Sequence, residues 1–323
     1  MNLTSEVRRF DVIALGEAMV EFNQTDPAQS QYQQGFGGDT SNAIIAASRA
    51  GVRTAYLTRV GNDWVGEKLL ALWREEGVDT SSIEIDAVKP TGMYFVTHGT
   101  SGHEFHYMRK GSAASCMTPE WLPKAAIEQA KILHVSGISL AISESATDTV
   151  LAAMRYAKQV GTVVSLDSNL RLKLWSLDRA KQVLEEAIGL CDLFLPSRED
   201  IEILINGTAA SHSALGLQAD FILDWCHERG AKTVVLKLGS EGCVVSDVKT
   251  RVAVVPRLVE AVDATGAGDC FCGNLLARIA AGDSLTDASR YANVAASLAV
   301  QGFGAVAPLP RTSQVQAILK SYQ

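Results

Sequence analysis

Short runs of Val, Ile and Leu alternate with helical patterns of apolar positions over most of the 323 residues. The apolar runs lie at 12–15, 55–60, 132–136, 162–167, 193–195, 233–238 and 243–246. They are short and continuous rather than alternating, as expected of strands covered on both faces. Helical patterns fill 41–50, 65–76, 119–131, 144–159, 178–190, 199–205 and 217–229. From Gly266 the chain reads as almost wholly helical, over 267–281, 284–300 and 312–321. Strands that alternate with helices predict an α/β fold, with a mostly parallel, Rossmann-like sheet flanked by helices.

One region breaks the rhythm. Residues 91–98 and 103–109 are two β-like runs joined by Gly99-Thr100-Ser101-Gly102, a hairpin signal, and 17–36 is also β-like and rich in turns. Together they predict a small sheet projecting from the main one. It reads either as a lid that excludes water from a crevice or as an edge hairpin without function. No repeat, low-complexity tract or interdomain linker interrupts the chain.

Composition narrows the function. The chain is 47% hydrophobic and 20% charged, with a net charge of −7 and no run of Lys or Arg, which argues against a nucleic-acid surface. A protein of this sign that binds an anion must concentrate its cations locally, so single Arg residues become informative. No signal-peptide pattern and no apolar stretch near the ~18 residues of a membrane span is present. The cysteines, at 116, 191, 226, 243, 270 and 272, form no C-x-x-C pair and no metal spacing; Cys270 and Cys272 read as small buried helix residues. The expectation is a soluble, reduced, cytoplasmic protein. The histidines, at 98, 103, 106, 134, 212 and 227, share no spacing with Cys or Glu, and His134 falls in a core strand. No Ser-His-Asp, H-E-x-x-H, G-x-S-x-G or Walker A pattern occurs.

The strongest chemical signal is Thr265-Gly266-Ala267-Gly268-Asp269 at the start of a helix. First-turn amides have no intrahelical partner and carry the positive end of the helix dipole. Glycine allows the backbone to approach a ligand oxygen, so a phosphate finds several donors there, and a phosphoryl group in transfer is stabilised by them. Asp269 is placed to accept a proton from an attacking hydroxyl; the plainer reading is a helix cap.

Other segments carry weaker signals. Gly35-Phe36-Gly37-Gly38-Asp39-Thr40-Ser41-Asn42 opens a helix, and Asp39 and Asn42 suit either capping or sugar hydroxyls. Tyr107 and Arg109 alternate onto one face, which fits carboxylate recognition or an ordinary exposed strand. Asp167, Asn169 and Arg171 follow a buried strand at its carboxyl end, where α/β enzymes keep their sites. Ser197 and Asp200 read as an N-cap or as a nucleotide or metal-water contact, and Lys237 to Gly242 as a phosphate turn or a plain hairpin.

Taken together, Gly37-Gly38, Asp167-x-Asn169-x-Arg171, Lys237-x-Gly239 and Asp263-x-Thr265-Gly266-Ala267-Gly268-Asp269 resemble the ribokinase-like (PfkB) carbohydrate kinase family, over residues 10–312 as one domain. The lid segments would be about 17–40 and 90–112 of it. Tyr107-x-Arg109-x-x-Ser112-Ala113-x-Ser115, Leu174-Trp175 and Ser136 to Ser143 are most similar to the 2-keto-3-deoxygluconate kinases within that family.

The resemblance implies a Rossmann-like sheet with a β lid, and transfer of the ATP γ-phosphoryl to a sugar hydroxyl with Mg²⁺. By that analogy Asp269 is the base and Gly266, Ala267 and Gly268 the anion hole. Gly38, Asp39, Asn42, Tyr94, Tyr107, Arg109, Asp167, Asn169 and Arg171 would serve the sugar acid. Ser197, Asp200, Lys237, Gly239, Gly242, Thr265, Gly266, Gly268 and Asn293 would serve the nucleotide. A monovalent cation, K⁺, would sit near Asp263, Thr265 and 302–304.

Ala264 stands where many members have Thr, Ser197 where many have Asn, and Met108 where sugar-acid kinases often have Tyr. The expected partners are a small sugar acid and ATP, without nucleic acid or membrane, in a homo-oligomer. The alternatives are a kinase of neutral sugars such as a fructokinase, an inositol-pathway kinase, a sugar-binding regulator and an NAD-dependent dehydrogenase. The intact Asp269 argues against the regulator. The dehydrogenase requires its glycine motif near the first strand, not near the C-terminus.

Overall fold

The computed structural model describes residues 8–25, 31–99, 102–207 and 217–321. In chain order the strands are β1 (Phe10–Leu15), β2 (Met19–Gln24), β3 (Tyr32–Gly37), β4 (Thr54–Leu57), β5 (Arg59–Gly61), β6 (Val78–Asp79), β7 (Glu84–Asp86), β8 (Met93–Gly99), β9 (Gly102–Met108), β10 (Ala130–Ser136), β11 (Val163–Asp167), β12 (Leu193–Leu195), β13 (Thr233–Lys237), β14 (Cys243–Asp247) and β15 (Arg251–Val254). The helices are α1 (Asp39–Arg49), α2 (Trp64–Glu75), α3 (Lys124–Glu128), α4 (Gly137–Ala141), α5 (Glu144–Gln159), α6 (Leu177–Leu190), α7 (Arg198–Asn206), α8 (Ala219–Glu228), α9 (Ala267–Ala280), α10 (Leu285–Ala299) and α11 (Thr312–Lys320).

The main sheet runs β15-β14-β13-β12-β11-β10-β1-β4-β6 and is parallel except for the β13–β14–β15 edge. Alternation along β1 sends Val12 and Ala14 into one core, with Ile44, Ile45 and Leu275. It sends Ile13 and Leu15 into the other, with Val150, Leu184 and Ile222. Burial on both faces is why these strands read as unbroken apolar runs. Side chains of Asp63, Ser143, Ser176, Ser197 and Ser284 cap the helices that follow them, which fixes where those helices begin.

The structure departs from the sequence expectation in several places. The strand expected over 55–60 is two: β4 stays in the main sheet, whereas β5 leaves it to pair with β7. The helix expected over 119–131 shrinks to α3, because prolines stand at 119 and 123 and Ala130 already pairs with Phe10 of β1. β15 extends the sheet edge beyond the expected strands, and the short β6, β7 and α4 carry too few residues to show a period.

A second, four-stranded sheet has the order β3-β2-β8-β9. It follows β1 through Gly16-Glu17-Ala18, so it projects from the carboxyl end of that strand. Its hairpin β8–β9 pairs Tyr94 with Tyr107; the turn residues Thr100 and Ser101, and 26–30 between β2 and β3, lie outside the described residues. Val20, Phe22, Phe36 and Met93 pack onto the main core, and Met19, Tyr94 and Val96 form a separate cluster. By strand alternation the two sets lie on opposite faces. Among the described residues no helix is long and apolar enough to cross a membrane.

Candidate functional site

Two helix starts converge at the carboxyl end of the sheet. Gly266, with φ 73°, turns the chain into α9; a Cβ there would stand 3.0 Å from that of Ala305. Gly38, with φ 121°, turns the chain into α1, and a Cβ there would stand 2.6 Å from the Glu17 carbonyl oxygen. The helices touch at Gly273, whose absent Cβ would lie 2.0 Å from the Ala43 carbonyl oxygen. That closeness lets Asn42 Nδ2 donate to Asp269 Oδ2 at 2.8 Å.

Asp269 opens to the crevice, yet protein crowds it. Desolvation, then the neighbouring Asp39 and Asp167 carboxylates, push its pKa up to about 7 against the opposing Asn42 bond and Lys237 charge. A carboxyl poised there can take up and release a proton near neutral pH.

The turn after β11 closes the floor. Asn169 adopts a positive φ of 25°, and its Nδ2 donates to Asp39 Oδ2 at 3.0 Å. Burial raises the Asp39 pKa, and Asp167 adds to it. Lys237 Nζ donates to Asp167 Oδ1 at 2.6 Å, and the Cys272 thiol lies 3.5 Å from Asp167 Oδ2 and 3.6 Å from the ammonium. Burial alone would lower the Lys237 pKa, but the Asp167 charge and the surrounding anions raise it, so Lys237 stays charged. A Cβ on Gly268 would lie 3.6 Å from that ammonium, so the cation borders the first turn of α9. Arg171 is exposed; its Nη1 donates to the Leu170 carbonyl at 2.8 Å.

The small sheet forms the roof. Tyr94 Oη donates to Glu21 Oε2 at 2.5 Å, and its ring lies 5.5 Å from that of Tyr107. Burial, then Glu21, raises the Tyr94 pKa, and the Asp269 charge reaches it as well. A Cβ on Gly37 would meet Tyr94 Oη at 2.3 Å, so that glycine admits the phenol. Burial raises the Tyr107 pKa against the charges of both Arg109 and Arg171, which act on the phenol from a distance. Arg109 differs from the expected free guanidinium: it is ion-paired with the buried Glu17, whose Oε1 also accepts from Ser112 Oγ at 2.5 Å.

A cleft of about 330 Å³ lies on the other side of α9, lined by Lys237, Gly239, Gly242, Gly268 and Asn293. Pro256, Leu258, Phe271 and Val300 supply apolar walls. Asn293 Nδ2 donates to the Val254 and Val255 carbonyls, both at 3.2 Å, and so pins one wall. Ser197 and Asp200 do not line this cleft. Ser197 caps α7 by accepting from the Asp200 amide at 3.1 Å, and Asp200 Oδ2 accepts from Ser168 Oγ at 2.6 Å, which braces the 167–171 turn. Asp263 accepts from the Thr265 amide at 2.9 Å and the Gly304 amide at 2.8 Å, which ties the glycine motif to the 302–304 loop. Among the described residues no three His, Cys, Asp or Glu side chains are grouped to hold a metal.

His134 is buried, with Nδ1 3.2 Å from Ser165 Oγ, and burial lowers its pKa to about 4. Side chains that sequence reasoning missed include Glu17, Glu21, Cys272 and the apolar cleft walls. Glu17 stood at the carboxyl end of β1, the same signal that marked Asp167; the walls at 256–258 carry no motif.

Comparison with known proteins agrees with this geometry. The family model described as pfkB family carbohydrate kinase matches residues 9–312. The protein named Probable fructokinase-4 of Arabidopsis thaliana is 32% identical over 96% of this chain and 96% of its own. The 2-dehydro-3-deoxygluconokinase of Bacillus subtilis is 30% identical over 97% of this chain and 96% of its own. The crystal structure of a Vibrio cholerae fructokinase with fructose, ADP and calcium superposes with a TM-score of 0.84 at 29% identity, covering 96% of this chain and 99% of that one.

Proposed function

The chain belongs to the pfkB family of carbohydrate kinases, and from that premise we propose that it is a 2-dehydro-3-deoxygluconokinase. It would transfer the γ-phosphoryl of ATP to the primary hydroxyl of 2-keto-3-deoxy-D-gluconate, giving the 6-phosphate. The observation that carries the sugar-acid reading is the exposed Arg171 guanidinium at the turn after β11, whose charge reaches the Tyr107 phenol.

Asp269 takes the hydroxyl proton as the oxygen attacks. Asn42 orients its carboxylate. The first-turn amides after Gly266, with Lys237 beside them, stabilise the charge on the phosphoryl group. The apolar walls and Asn293 suit a nucleotide base whose phosphates reach Lys237 and Gly268. Mg²⁺ keeps most of its waters and binds phosphates plus one or two carboxylates, so it would be held mainly by the ATP phosphates. Bound there, it would neutralise phosphate charge. The tie between Asp263 and the 302–304 loop supports a K⁺ site at that turn. Exposed Phe105, Tyr107 and Met108 on the edge strand β9 support a homo-oligomer paired through the small sheet of a cytoplasmic enzyme.

One observation favours a second reading, a neutral-sugar kinase such as a fructokinase: Glu17 cancels the charge of Arg109. A panel of sugar acids and neutral hexoses with ATP and Mg²⁺ tests both. The proposal holds if kcat/KM for 2-keto-3-deoxygluconate exceeds that for fructose, and fails if fructose is preferred.

A further inference from the structure

Glu17 follows β1 and has only 1% of its side chain exposed. Its carboxylate meets the turn that follows β9 at two points: Ser112 Oγ at Oε1 and the Arg109 guanidinium at Oε2. A second segment closes on the pair at Gly92, where a Cβ would lie 2.8 Å from Glu17 Oε1 and 3.5 Å from Arg109 Cβ. A buried carboxylate is costly unless paired, so Arg109 cannot swing out to a substrate without leaving that charge uncompensated. Arg109 Nε, by contrast, is buried without a hydrogen-bond partner. Arg109 therefore keeps an unused donor while Glu17 balances its charge, whereas Arg171 stands exposed.

We propose that Glu17 is a positioning residue that sets substrate choice: it fixes Arg109 beside the sugar and cancels its charge, leaving Arg171 to meet a substrate carboxylate. The inference rests on the kinase reading above. A residue with a purely structural role would change turnover of all sugars alike, whereas Glu17 changes the preference for acid over neutral sugar.

The readout is the ratio of kcat/KM for 2-keto-3-deoxygluconate to kcat/KM for fructose, in a double-mutant cycle of the full chain. Glu17→Gln leaves Arg109 uncompensated and is expected to raise the ratio about tenfold, the order expected of one partly screened charge. Arg109→Gln leaves Glu17 uncompensated and should lower the ratio by about as much. The pair Glu17→Gln/Arg109→Gln replaces both charges with neutral amides and should return the ratio to within about threefold of wild type. An unchanged ratio in Glu17→Gln, with both sugars impaired equally, overturns the inference. If Glu17→Gln does not fold, equal ratios in Arg109→Gln and the double variant overturn it. Failure of the wild type to phosphorylate any sugar would instead overturn the kinase reading.

Discussion

Asn42 Nδ2 donates to Asp269 Oδ2 at 2.8 Å across 227 residues of sequence. The bond joins the first turn of α1 to the first turn of α9, and no local pattern in either helix announces it. It exists because Gly273, one helical turn beyond Asp269, lets the backbone of Ala43 come within van der Waals contact. The carboxylate is thereby held in one orientation at the mouth of an amide-rich turn, the arrangement a proton acceptor for an in-line displacement needs.

The first prediction concerns that carboxylate. Asp269→Asn keeps the shape and the Asn42 contact but removes the proton acceptor. The expected loss in kcat is about 10²–10⁴-fold, with the sugar KM within about threefold of wild type. Steady-state kinetics with ATP and the best sugar measure both. A kcat within tenfold of wild type would falsify the assignment of Asp269 as base.

The second prediction is a pH dependence. With its folded-state pKa raised to about 7, Asp269 is protonated below neutrality, so kcat/KM should fall as pH drops below about 7. The bond from Asn42 favours the charged form. Asn42→Ala should therefore move this acidic limb to higher pH and lower kcat at pH 8 by roughly tenfold. Stability follows the same titration with the opposite slope. The folded carboxyl holds its proton more tightly than the unfolded one, whose ordinary pKa is 3.8. Stability is therefore fully present below that value and is lost as pH rises through about 7. Asp269→Asn should raise Tm by a few degrees at pH 8 and by less at pH 5. A pH–rate profile flat from 6 to 8 would contradict the raised pKa.

Much of this arrangement was legible in the chain. The parallel strands showed as continuous apolar runs because both faces are covered, and Asp167, Asn169 and Arg171 stood out because polar residues there follow a buried strand. Gly266 to Asp269 read as an anion turn because glycine, helix start and carboxylate are local features. What stayed hidden was pairing. Arg109 reads as a free cation until the fold brings Glu17 against it from 92 positions away. Lys237 reads as a phosphate ligand until Asp167, 70 positions upstream, closes on it. The cleft walls were hidden because Pro256 and Leu258 lie in irregular chain, where apolar residues have no period to betray them.

The third prediction tests the helix contact itself. Gly273→Ala places a methyl where the Ala43 carbonyl now lies 2.0 Å away, so α1 must shift and carry Asn42 with it. Overpacking of this kind costs about 1–3 kcal/mol, and kcat should fall roughly tenfold as Asn42 leaves Asp269. Gly189→Ala is the control. It lies inside α6, where a Cβ meets nothing closer than 3.9 Å, and should stabilise by about 0.5–1 kcal/mol. Thermal melts and kinetics of the two variants separate the cases; a Gly273→Ala enzyme as stable and as active as wild type would show that the helices have room to spare.

The fourth prediction concerns Lys237 and Asp167, whose side chains are only 14% and 5% exposed. Lys237→Met leaves the Asp167 carboxylate buried without its cation, beside Cys272 and within reach of the Asp269 charge. Losing one partner of such a pair costs about 3–5 kcal/mol. Adding Asp167→Asn removes the stranded charge, so the double variant should recover most of the lost stability in a denaturant titration. Catalysis should not return with it. The ammonium borders the first turn of α9, and without that cation the charge on the phosphoryl group is left to the amides alone, at an expected loss of about 10²–10³ in kcat. Stability that recovers while turnover stays low separates the cation's two effects. If turnover recovers together with stability, Lys237 serves the fold and not the phosphoryl group.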